Sequence, residues 1–466
     1  MLFMTSLILL VFVVGYFCIA IEGVVKVNKA AVALFMAVMC WALYMLGSED
    51  YIAEFYSQPF RDYLKESAGS GNPAVKFLVE NVFSPHVADA CETILFLMGA
   101  MTIVEVVDSN GGFRFVNRRL QTSDPCKLLW RVVALTFVLS ALLDNMTTAI
   151  VMVMVLKRLV ANRKQRMLYS CIVILAANSG GAFSPIGDVT TIMLWIKGCV
   201  STTGIIKSLF IPAVVSVVVP ALFVMRMLKG KVCSVGGTTV GDDSNMPEFS
   251  RNVRIAIFCI GVFGLMLVPV FRTLTGLPPF VGVMGVLAVL WIMTEIIIRK
   301  NRRVLSHEAE ARVSNIMHKI DMSTILFFLG ILLAVGALQE TGTLSRLGVW
   351  LNTTFSNVYV VNMMIGVISS IVDNVPLVAS AMGMYAIQPD TAVGMMENFC
   401  QDGAFWNLLA YCAGTGGSIL IIGSAAGVVV MGLENISFGW YLKRFTWLAL
   451  AGYFSGIAAY WLMNLI

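Results

Sequence analysis

The chain has 466 residues, of which 58% are apolar and only 13% are charged. Soluble domains average about 25% charged residues, so this composition excludes a soluble enzyme, a secreted disulfide scaffold and a disordered chain. The net charge of +5 is small beside this apolar composition, and we expect no nucleic-acid partner. A chain of this length can hold about ten membrane helices of about 20 residues each, which predicts an all-α polytopic protein in a lipid bilayer.

Ten hydrophobic runs along the chain predict membrane-spanning helices. They are 2–21, 28–47, 92–108, 167–196, 209–228, 255–271, 279–298, 323–340, 404–432 and 445–464. The first run has neither the basic segment nor the small-residue cleavage site of a signal peptide, so we expect it to be retained as a helix. Two further apolar runs, 132–156 and 358–387, carry an Asp-Asn pair near their centres, and the flanking charges indicate how they enter the membrane.

Basic residues are distributed unequally if the ten runs cross the membrane and the other two do not. In that topology 25 of the 32 Lys and Arg residues lie on one side, which the positive-inside rule assigns to the cytoplasm. Both termini are then periplasmic. Because basic clusters flank 132–156 at both ends, we expect a re-entrant hairpin entered from the cytoplasm. The run 358–387 lacks such clusters and is expected to enter from outside. Two ordinary spans are the alternative, since 25 residues are long enough to cross.

Three sequence blocks of the first half recur in the same order in the second half. Residues 96–113, 140–152 and 176–188 match residues 327–344, 369–381 and 412–424. The predicted topology makes the two copies run in opposite directions across the membrane. We therefore expect an inverted repeat with halves at 1–228 and 255–466, broken helices at 167–196 and 404–432, and a cytoplasmic linker at 229–254. Such repeats are typical of secondary transporters, whose binding sites lie near the membrane midplane.

Acidic residues inside these membrane segments are candidates for function, because burying a charge in a bilayer is costly. Asp144 and Asp373 lie at equivalent points of the two hairpins, and each precedes an asparagine. Asp188 ends a Gly- and Pro-containing interruption of a hydrophobic run, where freed backbone groups must line a cavity. Carboxylates without a basic partner suit a small cation, so we expect these three aspartates to bind Na⁺. The alternatives are that Asp144 and Asp373 cap helices and that Asp188 only stabilises the break.

The predicted cation and proton site adds neutral polar residues near the three acids. Its members are Asp144, Asn145, Thr147, Asn178, Ser179, Asp188, Thr190, Asp373, Asn374, Thr415, Ser418 and Ser424. Glu105 and His86 are candidates for a proton relay. The alternatives are an ion pair of Glu105 with Arg114 and a solvated or interfacial His86. The chain has no nucleotide-binding or hydrolase motif, so we expect neither an enzyme nor a bound cofactor.

The motifs LLDNMTTAIVM, NSGGAFSPIGDVTT and IVDNVPLVASAMGM resemble those of the NhaD-type sodium/proton antiporters of the ion transporter superfamily. The resemblance covers nearly the whole chain. It implies a bacterial inner-membrane antiporter that exports Na⁺ or Li⁺ in exchange for H⁺, with its functional acids at Asp144, Asp188 and Asp373. It also implies a homodimer in which a hairpin-bearing domain moves as an elevator against a scaffold domain.

A second hypothesis is a Na⁺- or H⁺-coupled carrier of an organic anion or oxyanion, such as a dicarboxylate or arsenite. Such a carrier needs a cationic or donor-rich pocket, which the sequence does not indicate. The carboxylate carriers of the resembled superfamily have Ser-Asn-Thr at their hairpin tips, whereas this chain has Asp-Asn. The sequence therefore favours cation/proton exchange.

Overall fold

The computed structural model describes residues 2–20, 27–66, 72–111, 120, 122, 124–228, 251–300, 313–355, 357–371 and 374–465. Regular structure in these ranges is helical, apart from one isolated bridge between Gln388 and Cys400. The expected all-α architecture is confirmed. Of the predicted linker, residues 229–250 lie outside the described ranges and residues 251–254 begin a helix.

The α-helices are numbered here in chain order. The first eleven are α1 (Leu2–Ala20), α2 (Lys29–Leu46), α3 (Ser48–Phe55), α4 (Ser57–Glu66), α5 (Pro73–Leu78), α6 (Ser84–Ser109), α7 (Pro125–Leu142), α8 (Asn145–Leu159), α9 (Arg163–Ala182), α10 (Val189–Ile196) and α11 (Thr202–Leu228). The others are α12 (Arg251–Thr275), α13 (Pro279–Lys300), α14 (Val313–Ile316), α15 (Met322–Glu340), α16 (Thr343–Phe355), α17 (Val358–Ser369), α18 (Asn374–Met384), α19 (Ala404–Gly416), α20 (Ala425–Glu434), α21 (Phe438–Arg444) and α22 (Thr446–Met463). A π-helical turn (Val79–Phe83) joins α5 to α6.

The helices form two compact units, one made of residues 1–95, 321–356 and 379–386 and the other of the remaining chain. In the first unit, α2 packs against α1 and α15. Helices α2 and α15 approach closely because Gly330 has no side chain, and a Cβ there would lie 2.6 Å from the carbonyl carbon of Ala33. The Trp41 indole Nε1 donates a 2.8 Å hydrogen bond to the carbonyl oxygen of Leu333 and is thereby satisfied inside the unit.

The second unit is built around α9, which packs against α7, α8, α11, α19 and α20. Every residue of α9 from Leu168 to Ala182 is buried, as expected for a helix that lies inside a bundle rather than at its lipid-facing surface. Near its start, Arg166 Nε lies 2.9 Å from both carboxylate oxygens of the fully buried Glu434 side chain. This ion pair joins the beginning of α9 to the end of α20.

The helix ends in the second unit fall at the interruptions expected from the sequence. Only Leu143 and Asp144 separate α7 from α8, and α9 and α10 are separated by residues 183–188. In the second half, α18 follows α17 after a short gap, and residues 417–424 separate α19 from α20. The Gly-rich breaks therefore interrupt the helices as predicted, whereas the opposite orientation of the two halves in a membrane stays a prediction.

Matching residues of the two halves make the same close contacts. Ser140 Oγ donates to the carbonyl oxygen of Ala177 at 2.6 Å, and Ser369 Oγ donates to that of Ala413 at 2.9 Å. The four residues are related by the offsets of the aligned blocks, 229 and 236 residues. Two such hydrogen bonds at matching positions agree with the expected internal repeat, which stays a prediction.

Eight helices of the described residues are long and apolar enough to cross a membrane, or nine if the bent pair α20 and α21 is counted. Ten spans were expected, and seven of the predicted runs are among the eight. The breaks divide 167–196 and 404–432 into shorter helices, the run 445–464 (α22) is not among the eight, and α7 comes from a run that was not expected to cross. Helix α7 is one of the eight, so its length permits either a crossing or the first arm of a hairpin. The re-entrant assignment rests on the flanking charges and stays a prediction.

Replacing either glycine at the matching crossings Gly180 and Gly416 by Ala should destabilise the protein. The added Cβ would lie 2.4 Å from the carbonyl oxygen of Phe137 in the first case and 2.2 Å from that of Gly366 in the second. Overpacking of this kind costs about 1–3 kcal/mol, so the thermal unfolding midpoint in detergent should fall. Gly432→Ala is the matched control, because no atom lies within 4 Å of its Cβ position. Equal midpoints for all three variants would contradict the close crossing.

Candidate cation site

Asp188 lies in the break between α9 and α10 and is only 1% exposed. Its Oδ1 accepts hydrogen bonds from the backbone N–H and the hydroxyl of Thr190, both at 3.0 Å. Its Oδ2 accepts from Asn145 Nδ2 at 2.7 Å. Asn374 Nδ2 lies 3.4 and 3.3 Å from the two carboxylate oxygens. Asp188 therefore caps α10 and also joins the first residues of α8 and α18.

Asn178 is the second centre of the site and is fully buried in α9. Its Oδ1 accepts a 3.1 Å hydrogen bond from Asn145 Nδ2. Its Nδ2 donates to Ser418 Oγ at 2.8 Å and to Ser424 Oγ at 2.9 Å. Both serines belong to the break between α19 and α20, so this one carboxamide joins the two broken helices. We call Asn145, Asn178, Asp188, Asn374, Ser418 and Ser424 the buried network.

Asp144 caps the start of α8, as expected if its role is structural. Its Oδ1 accepts from the Thr147 backbone N–H at 2.7 Å, and its Oδ2 accepts from the Thr147 hydroxyl at 2.5 Å. Its side chain is half-buried, and it directly precedes Asn145 of the buried network. These hydrogen bonds fit the helix-cap alternative, and a cation-binding role of Asp144 stays a prediction.

The remaining predicted site residues divide between the network and its surroundings. Asp373 lies outside the described residues, although Asn374, which follows it, reaches Asp188. Ser424 accepts from the Gly427 backbone N–H at 3.2 Å and caps α20, just as its aligned partner Asp188 caps α10. The Thr415 hydroxyl instead donates within its own helix to the Tyr411 carbonyl oxygen at 2.5 Å.

Ser216 of α11 belongs to this polar region and was not predicted from the sequence. Its hydroxyl donates to the Ala213 carbonyl oxygen at 2.7 Å and lies 2.9 Å from Ser179 Oγ, and Ser216 and Ser179 are both buried. Ser216 lies in an uninterrupted apolar run with no motif around it, so nothing in the local pattern distinguishes it from a serine that bonds only its own helix.

The two candidate relay residues are not members of the buried network as defined above. His86 Nε2 lies 2.8 Å from Glu340 Oε1, and the Tyr56 hydroxyl donates to the other oxygen of Glu340. All three residues belong to the first unit. Burial and the neighbouring Glu340 raise the pKa of Tyr56, which keeps its phenol protonated as a donor. Glu105 accepts a 3.0 Å hydrogen bond from Ser109, and Arg114, its expected partner, lies outside the described residues.

In the part of the chain that the structure describes, the network presents one buried carboxylate that accepts hydrogen bonds from neutral groups. The hydrogen bonds to Asp188 come from amide, hydroxyl and backbone N–H groups. Among the described residues no three His, Cys, Asp or Glu side chains form a cluster. Asp373, one of the three expected aspartates, lies outside those residues, so the set of three stays a prediction. A cation in this region would therefore combine a carboxylate with neutral oxygens, as Na⁺ sites and other hard-cation sites do.

A helical membrane protein with a buried polar site at the breaks of two crossing helices has the architecture of a secondary transporter. Residues 16–399 match the CitMHS family, described as citrate transporters, and the chain belongs to that family. It is 40% identical over 97% of its length to sodium/proton antiporter 1 of Arabidopsis thaliana, of which it covers 71%.

Two further relatives cover almost the whole chain. Sodium/proton antiporter 2 of Arabidopsis thaliana is 37% identical over 97% of this chain and 98% of that protein. The Na⁺/H⁺ antiporter NhaD of Vibrio cholerae is 28% identical over 98% of this chain and 91% of that protein. The resemblance to the NhaD-type antiporters of the ion transporter superfamily is thereby confirmed.

Asn178→Ala should destabilise the protein, because it removes the carboxamide that joins the two broken helices. The substitution leaves buried donors and acceptors of Asn145, Ser418 and Ser424 with fewer partners, at a cost of about 1–3 kcal/mol. Thermal unfolding in detergent should show a lower midpoint. Ser455→Ala is the control, since that hydroxyl donates only to Gly452 of its own helix. Similar midpoints for the two variants would argue that Asn178 does not hold the helices together.

Proposed function

We propose that the chain is a sodium/proton antiporter that exports Na⁺ or Li⁺ in exchange for H⁺, with its ion site at the buried network. The observation that carries the proposal is the Asp188 carboxylate, buried between helix ends and held by neutral groups. Relatives that cover nearly the whole chain carry the name of this activity. The unequal distribution of Lys and Arg and the buried network are observations independent of those names, and both fit an ion antiporter.

Cation binding is favoured by the helix ends at the two breaks. Helix α9 ends at Ala182 and α19 ends at Gly416. Because the C-terminal end of a helix carries partial negative charge and unpaired carbonyl oxygens, both ends attract a cation. The hydroxyl oxygens of Ser418 and Ser424 and the carboxylate of Asp188 lie in the same network and can complete an oxygen shell. Asp144 and Asp373, which adjoin Asn145 and Asn374, are proposed as further ligands.

An anionic substrate is disfavoured by the opposite helix ends. The N-terminal ends of helices attract anions, and in a carboxylate carrier such ends must be open to the substrate. Here the start of α10 is capped by Asp188 and the start of α8 by Asp144. The protein's own carboxylates already fill the positions that a substrate carboxylate would take. The family is described as citrate transporters, so citrate is kept as the competing substrate in the tests below.

Exchange follows from competition for the same carboxylates. A proton neutralises an aspartate and removes the charge that binds Na⁺, whereas bound Na⁺ requires the ionised form. One site therefore carries either ion but not both, and alternating exposure of such a site to the two sides exchanges one ion for the other. We propose elevator-type movement in a homodimer in a bacterial inner membrane, as the family resemblance implies. We also propose that both termini are periplasmic, which the distribution of Lys and Arg supports.

Neutralising the site should abolish exchange. In inverted vesicles, addition of Na⁺ should dequench a pH-sensitive dye for the parent protein but not for Asp188→Asn, Asp144→Asn or Asp373→Asn. Loss of one charged ligand typically costs 1.5–3 kcal/mol, or about tenfold to 100-fold in Na⁺ affinity. Asp321→Asn is the matched control, because Asp321 is an exposed helix cap and Asn caps equally well.

Uptake of labelled citrate distinguishes the proposed antiporter from a citrate carrier. We expect no Na⁺- or H⁺-driven citrate accumulation by the parent protein in proteoliposomes. Citrate uptake together with the absence of Na⁺-driven dye dequenching would replace the antiporter by an anion carrier. Full dequenching in all three aspartate variants would leave antiport in place and remove the ion site proposed here.

Exchange should respond to pH through the apparent KM for Na⁺. Because H⁺ competes with Na⁺ for one carboxylate, the KM should fall by up to about tenfold for each unit of rising pH, until the site is deprotonated and the KM becomes constant. Initial rates of dye dequenching measured at a series of Na⁺ concentrations from pH 7 to 9 test this, with equal expression of protein checked in each membrane preparation. A constant KM with only Vmax changing would show that the two ions do not compete.

A further inference from the structure

The second unit contains an apolar cavity of about 550 Å³ that the ion site does not use. Helix α7 lines one side of it and α11 the other, with residues of α12 and of the break at 183–186 completing the wall. The α7 side chains in the wall follow a stripe of one helix face, which includes Val133, Phe137 and Ala141. A cavity with this lining excludes ions and polar solutes and suits a hydrocarbon chain.

The cavity opens sideways from the helices. Val138, Ile206 and Phe210 line it and remain 54%, 41% and 47% exposed. Because α7 and α11 are both apolar enough to cross a membrane, the medium that meets this opening is the bilayer interior. A hydrocarbon chain in the cavity would restore the dispersion contacts that an empty space lacks.

Basic residues continue the same stripe of α7 toward its first turn. Lys127 lies one turn before Trp130, which lines the cavity, and Arg131 lies one turn before Ala134, another lining residue. Both basic residues are exposed. The expected topology places this end of α7 at the cytoplasmic surface, where Trp and basic side chains meet lipid headgroups. An apolar groove with basic residues at one end is complementary to an anionic phospholipid, which has a negatively charged phosphate at one end of an apolar acyl chain.

We propose that the groove between α7 and α11 binds an anionic phospholipid, with one acyl chain in the cavity and the phosphate at Lys127 and Arg131. The bound acyl chain would contact the residues that precede the two aspartates Asp144 and Asp188. Ala141 and Leu142 line the cavity just before Asp144, and Ser184 lines it just before Asp188. Ser184 Oγ also donates to the Ala141 carbonyl oxygen at 2.6 Å, which joins the break to the end of α7. The lipid thus packs against both elements that present the site's carboxylates.

Photo-crosslinking tests the position of the acyl chain. The full-length chain in detergent is incubated with phosphatidylglycerol that carries a diazirine midway along one acyl chain, irradiated and digested for peptide mapping. Crosslinks should concentrate in peptides containing 133–142 and 206–218. Ala134→Trp and Val138→Trp fill the groove and should lower this labelling several-fold. Ile296→Trp, on an exposed apolar position that does not line the cavity, should leave it unchanged.

A comparison of phosphatidylglycerol with phosphatidylcholine tests whether Lys127 and Arg131 bind the lipid phosphate. The double variant Lys127→Gln, Arg131→Gln should bind phosphatidylglycerol about 30-fold more weakly, because both basic residues that attract the anionic headgroup are removed. Binding of phosphatidylcholine with the same diazirine should not change. Equal labelling by the two lipids in the parent protein would overturn the proposal, as would crosslinks spread over all exposed membrane helices. Labelling that appears only after a dimer is dissociated would assign the groove to a second copy of the chain.

The peptide map of crosslinks uses the parent protein, and the headgroup comparison uses the parent and the Lys127→Gln, Arg131→Gln variant. These two experiments decide the proposal even if a groove-filling tryptophan variant fails to fold. Size-exclusion profiles identify such a variant before labelling. Neither readout depends on ion exchange, so failure of the lipid proposal and failure of the antiporter proposal are distinguishable.

Discussion

The burial of one carboxylate constrains the rest of this structure. Asp188 has almost no exposed surface, and a charge in that position is tolerated only if the protein supplies its hydrogen-bond donors. The donors come from three helix beginnings: Thr190 of α10, Asn145 of α8 and Asn374 of α18. The Thr190 backbone N–H is free to bond Asp188 because it lies in the first turn of a helix, where N–H groups have no partner within the helix. The break before α10 therefore supplies one of the donors that the buried carboxylate needs, and the side chains of Asn145 and Asn374 supply others.

Matching positions of the two halves show both a similarity and an asymmetry at the site. Matching serines bond matching carbonyl groups in the two halves, and Asp188 and Ser424 cap corresponding helices. Only the first half has a charged residue at this cap. The carboxylate at this cap can alternate between a bound proton and a bound cation, whereas a second acid at the position of Ser424 would add negative charge to the network and favour protonation of one of the two.

Much of the fold could be predicted from the sequence, because its strongest signals are local. Glycines and a proline within a hydrophobic run end α9 near its predicted break, and Asp-Asn marks the start of α8 and precedes α18. The pairing of Asn178 with Ser418 and Ser424 could not be predicted, since it joins residues more than 200 positions apart through packing alone. The same holds for His86 and Glu340, and for Ser216, whose apolar surroundings give no signal. The positions of Asp144, Asn145, Asn178 and Asp188 were predicted, but not which of them share a hydrogen bond.

Competition between Na⁺ and H⁺ for Asp188 is the basis of the proposed exchange. It is tested most directly by counting the protons that Na⁺ displaces from the purified protein in a weakly buffered solution. Na⁺ binding should release protons in amounts that saturate with Na⁺, diminish as the pH rises, and fall sharply in Asp188→Asn. Saturable Na⁺ binding without proton release across the working pH range would show that the two ions do not compete.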